Sequence, residues 1–150
     1  MGYRNARSQM KVTMLLADAA QAVDGKLYVL GGGWSICGPD PVPMALAIKL
    51  EIPWDQSNVR HTWRLTLVDS DGGPFMAPGP EGEEQPLAIE AQFEVGRPPG
   101  VRPGTPMDLP LAINFGPLPL EPGTRYEWRM EIDGEPQEDA RLAFSTRPLE

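Results

Sequence analysis

Cysteine and histidine are nearly missing from this chain: Cys37 and His61 stand alone in 150 residues. One cysteine excludes an intramolecular disulfide and fits a reducing, cytoplasmic compartment, with Cys37 a small core side chain. Zinc sites draw several Cys or His ligands, so no metal and no cofactor are expected. A Cys/His catalytic pair needs contact and a thiolate, and nothing in the spacing of Cys37 and His61 implies contact. Long apolar runs are also missing. No stretch approaches the roughly 18 residues that a membrane helix needs. The opening "MGYRNARSQ" is basic but has no apolar segment behind it, so it does not read as a secretory signal. Ala6 stands where myristoylation favours Ser or Thr. Positive charge is scarce, with 13 basic against 21 acidic residues and a net charge of −8. An acidic surface repels phosphate backbones, which argues against nucleic acid as a partner.

Proline and glycine are abundant, at 18 and 16 residues. With good apolar content, they point to many short strands joined by turns. Period-two alternation follows. In "MALAIKLEI", Met44, Leu46, Ile48, Leu50 and Ile52 share one face, with Ala45, Ala47, Lys49 and Glu51 opposite. "HTWRLTLVD", "LAIEAQFEV", "MDLPLAINF", "RYEWRMEI" and "ARLAFST" repeat the pattern. Pro110 cannot donate to a ladder, so its strand belongs at an edge or is kinked. "KVTMLLADA" and "KLYVLGG" flank "VDGK" and read as a hairpin, because Asp-Gly tolerates positive φ; one helical turn over "ADAAQAV" is the competing reading. Residues 71–86 and 96–106 are long Pro/Gly-rich loops. Residues 1–9 read as a flexible arm ahead of a single domain over 10–150.

"GKLYVLGGGWSICGPDP" needs separate treatment. A phosphate loop requires a helix directly after its glycines, and Pro39, Pro41 and Pro43 preclude one. A propeller needs several such blades, and only one is present. What remains is a strand that bends at Gly31 to Gly33, by a bulge or by a switch between sheets. "DSDGG" reads as a turn rather than a calcium loop, which requires more oxygen ligands. "EGEE" reads as a solvated loop that limits edge pairing. The acidic residues interleave with Lys and Arg on outward strand positions, so cross-strand pairing accounts for them without catalysis.

The most specific motif is "LEPGTRYEW", in which Leu120, Pro122, Gly123 and Tyr126 take the spacing of a tyrosine corner. On this motif the chain resembles immunoglobulin-like and fibronectin-III-like sandwiches, and it is similar to a small bacterial family of uncharacterised sandwich proteins. The resemblance covers about the last 110 residues in strand spacing and implies an all-β Greek-key sandwich of about eight strands. It implies that "MALAIKLEI" is strand B, "HTWRLTLVD" strand C, "LAIEAQFEV" strand D or C′, "MDLPLAINF" E, "RYEWRMEI" F and "ARLAFST" G.

In such a sandwich B and E are neighbours, and Ala45, Ala47 and Ala112 fall on their outward face. That face is either a flat interaction surface or the seat of the early hairpin. Trp34, Trp54 and Phe75 are candidate exposed aromatic contacts, against rim packing for the tryptophans and a tucked loop for Phe75. The functional expectation is a non-enzymatic protein–protein interaction or assembly module, a homo-oligomer or a subunit of a larger particle, although fold alone carries function only by analogy. A small-molecule or glycan-binding sandwich is the alternative, and a Cys37-dependent enzyme comes last.

Overall fold

The computed structural model describes residues 9–150; the expected arm lies outside them except for Gln9. The described residues form eleven strands and no α-helix. These are β1 (Lys11–Val23), β2 (Lys26–Gly32), β3 (Ile36–Cys37), β4 (Met44–Ile52), β5 (His61–Asp69), β6 (Met76–Pro78), β7 (Glu84–Pro86), β8 (Ala88–Phe93), β9 (Met107–Phe115), β10 (Arg125–Ile132) and β11 (Glu135–Thr146). One sheet runs β2-β1-β4-β9, a second β3-β11-β10-β5-β8, and β6 pairs with β7. All pairings are antiparallel except β11 with β3, which is parallel.

Alternation decides which face is buried. Met44, Leu46, Ile48, Leu50 and Ile52 from β4 join Trp63, Leu65, Leu67, Trp128, Met130, Ile132 and Phe144 from the second sheet in one apolar cluster. At its centre Trp128 is fully buried and stacks on Phe115 of β9, with ring centroids 4.9 Å apart. The two four- and five-stranded sheets therefore share a core through their inward faces. Pro110 lies on β9, the edge of its sheet opposite β2, where a missing N–H costs no ladder bond.

Three corners hold the strands in place. Tyr126 is buried, and its hydroxyl accepts a 2.9 Å hydrogen bond from the Glu121 N–H, which satisfies a donor that the Pro122–Gly123 turn leaves without a ladder partner. The Asp69 carboxylate accepts the N–H groups of Asp71 and Gly73 at 2.9 and 3.0 Å, so "DSDGG" is a side-chain-stabilised turn. His61, buried at the start of β5, places Nδ1 2.7 Å from the Asp133 carboxylate and Nε2 2.9 Å from the Gln56 carbonyl.

The glycine run has a clear role. β2 belongs to the first sheet and β3 to the second, so Gly31 to Gly33 carry the chain from one to the other. Gly31 and Gly33 both have positive φ, at 61° and 95°. A Cβ on Gly31 would also collide with the Asp18 carboxylate. Of the two sequence readings, the sheet switch is the one observed.

Candidate interaction surface

β1 is long because it serves two partners. Lys11 to Ala17 pair with β4, and Ala17 to Val23 pair with β2. Asp24 and Gly25 close the hairpin with φ of 51° and 74°, the two positive values that a type I′ turn requires. Beyond Ala17 the hairpin crosses the outward face of β4 and β9. Asn114 of β9 fastens it: its side-chain oxygen accepts the Ala20 N–H at 3.1 Å, and its side-chain nitrogen donates to the Ala20 carbonyl at 2.9 Å.

The alanine face lies beneath this hairpin. Ala45 and Ala47 are 0% and 2% exposed, and they cluster with Ala17 and Ala20; Leu15, Leu27 and Ala112 pack around them, partly buried. The expectation of an exposed Ala45–Ala47–Ala112 surface is thus corrected in favour of its competitor. Small side chains let the hairpin backbone approach the sheet closely, and the apolar surface that they would show to water is covered.

The three candidate aromatic contacts have different fates. Phe75 is 9% exposed and meets Tyr126 edge-to-face at 5.8 Å, so the loop is tucked in and Phe75 is not a contact tip. Trp34 is half-buried against the core rim, edge-to-face with Phe144 at 6.5 Å. Trp54 is half-buried in a 3₁₀ turn after β4. The Arg97 guanidinium lies 3.9 Å over its ring and donates to the Trp54 carbonyl at 2.7 Å. Trp54 also lines an open cleft of about 410 Å³ with Lys11, Glu51, Asp55 and Pro106. Of the three, Trp54 is the one that lines this cleft.

Cys37 and His61 are not brought together. Cys37 sits on β3, beside the end of β11 that faces Arg125 at the start of β10. His61 lies at the far end, hydrogen-bonded to Asp133 just past β10. Eight residues of extended strand separate the two ends by about 20–25 Å. Burial pushes the Cys37 thiol above its ordinary value, and the charge of nearby Arg147 offsets this only in part. Among the described residues, no group of three or more His, Cys, Asp or Glu side chains could hold a metal, and no helix is long and apolar enough to cross a membrane.

Three consecutive exposed apolar or aromatic residues lie where sequence reading placed no site. Tyr28, Val29 and Leu30 of β2 are 55%, 40% and 71% exposed. No described strand pairs with the outer edge of β2. A sequence signal did exist: "LYVL" is four apolar or aromatic residues without the polar alternation of the other strands. A half-buried strand alternates; this one is displayed.

An all-β chain with paired antiparallel sheets and a displayed hairpin is the class that these observations define. By sequence the chain belongs to the family of unknown function DUF6941, whose model matches residues 12–145. No curated protein matches the chain.

Proposed function

We propose that this chain is a non-enzymatic protein-interaction or assembly module of the cytoplasm, built on an immunoglobulin-like Greek-key sandwich. The observation that carries the reading is β2: an edge strand with Tyr28, Val29 and Leu30 exposed and no described strand on its outer edge. Monomeric proteins normally guard such edges with charge, proline or brevity. Strand order supports the fold part of the proposal. β1, β4 and β9 take the places of strands A, B and E. β5, β8, β10 and β11 take those of C, C′, F and G, and the Tyr126–Glu121 bond has the form of a tyrosine corner. β8 pairs with β5, which favours C′ over D.

Affinity capture from the native host tests the functional part. The native chain should enrich a specific protein that Leu30→Glu, a change at an exposed position, does not. Identical catches with both would contradict the proposal.

One observation favours a second reading, a small-molecule or glycan site. Trp54 walls a cleft flanked by Lys11, Glu51 and Asp55, a mixture suited to stacking on and hydrogen-bonding a polyhydroxylated ring. On this reading a glycan should quench tryptophan fluorescence in the native chain and not in Trp54→Ala; quenching that survives the substitution, or none in either, would rule it out.

A further inference from the structure

Resting on the second reading, of Trp54 as the wall of a glycan cleft, we infer that this cleft takes an uncharged sugar ring on one face of the Trp54 indole, and that Arg97 positions that face. Arg97 makes three contacts on one short turn. Its Nε–H donates to the Ser57 hydroxyl, its Nη2–H donates to the Trp54 carbonyl at 2.7 Å, and its guanidinium lies 3.9 Å from the indole centroid. Ser57 adds its own hydroxyl and N–H to the same carbonyl, at 2.6 and 3.2 Å. The Asn58 N–H bonds the Val95 carbonyl at 2.7 Å and keeps the chain that carries Arg97 beside the turn. A planar guanidinium that forks and stacks at once loses little freedom in doing so. The indole is therefore held in one orientation before any ligand arrives.

Arg97 covers one face of the ring and does not line the cleft. The face turned to the cleft is therefore the other one. Gly104 and Pro106 line the cleft from the far end of the same loop, so residues 96–106 back the ring at one end and wall the cleft at the other. One open indole face, with polar groups around it, suits a ring that has an apolar C–H face and a rim of hydroxyls. Lys11, Glu51 and Asp55 supply the polar groups. Among the described residues none of the three makes a side-chain hydrogen bond or an ion pair, so their capacity is left for a ligand.

Charge narrows the class. Lys11 and Arg97 balance Glu51 and Asp55, so the site offers no net charge to an ionic ligand. An ammonium group on the open face would meet the charge of Arg97, whose guanidinium already occupies the ring quadrupole that attracts cations. A carboxylate would meet Glu51, Asp55 and the field of a chain that carries −8. Hydroxyls use both signs, donating to Glu51 and Asp55 and accepting from Lys11.

The Trp54 indole N–H resonance, assigned by its loss in Trp54→Ala, reads the site directly. The native chain is titrated with a cello-oligosaccharide, a chitosan oligosaccharide and an oligogalacturonate of equal length, at a mildly acidic pH that keeps the chitosan amines charged. The neutral sugar should shift that resonance with the same affinity at low and high salt. The two charged sugars should bind at least about tenfold more weakly. Arg97→Gln, at an exposed position, should leave thermal unfolding little changed yet weaken the cello-oligosaccharide about tenfold. Arg97→Lys, which keeps the charge without the planar fork, should weaken it likewise. Equal affinity for either charged sugar would overturn the uncharged class. Full affinity in Arg97→Gln would overturn the positioning role and leave the cleft reading standing. No shift with any of the three would remove that reading, and this inference with it.

Discussion

Asn114 is the residue on which the hairpin's position turns. Its side chain supplies an acceptor and a donor to one backbone residue, Ala20, and so substitutes for a ladder neighbour that the crossing strand lacks. Removing it frees the Ala20 N–H and C=O at a site that water can reach, so the loss of the two bonds together costs roughly 1–3 kcal/mol. Asn114→Ala should lower stability by about 1–3 kcal/mol and speed hydrogen exchange at the Ala20 amide. Unchanged exchange there would show that the hairpin is held by packing alone. The alanines beneath it act through size. Ala47 is 2% exposed, and overpacking a close-packed site costs about 1–3 kcal/mol. Ala47→Leu should therefore destabilise the chain by that amount, in chemical denaturation, while Ala112→Ser, at the partly buried margin, should matter less. Equal tolerance of both would mean that the hairpin lifts freely.

At the scale of the element, sequence legibility followed burial. Strands β5, β9 and β10 each have one face in the core and one outside, and β4 pairs large core side chains with small or charged ones on its other face, so period-two alternation revealed all four. The Asp24–Gly25 turn was legible because its backbone demands positive φ at both positions. Pro110 marked an edge for an equally local reason. Long-range placement was not legible in the same way. Ala45 and Ala47 are small and apolar whether water or a hairpin lies above them, and only the course of β1 past Ala17 settles which. Phe75 is likewise ambiguous in a Pro/Gly-rich loop until Tyr126 is seen beneath it. β2 was legible as half of a hairpin, but its exposure was not: no core pattern marks a displayed strand, and exposure is a property of the assembled sheet order. Cys37 and His61 show the reverse case, where their separation follows directly once β10 is seen to lie between them.

For the whole molecule, net charge is −8, yet the outer edge of β2 carries no acidic residue and has no described strand beside it. Among the described strands it is a long edge free of proline and of charge beyond its turn, and one added strand would cover it. The same geometry leaves the Trp54 cleft, on the Lys11 and Glu51 end of the first sheet, away from β2, so occupancy of one should not depend on the other. The most direct measurement is affinity capture by the native chain beside Leu30→Glu, read by mass spectrometry. The native chain should hold a specific protein, and the variant, which places a charge on the exposed face of β2, should hold at least about tenfold less of it. Equal capture by both chains would contradict the account.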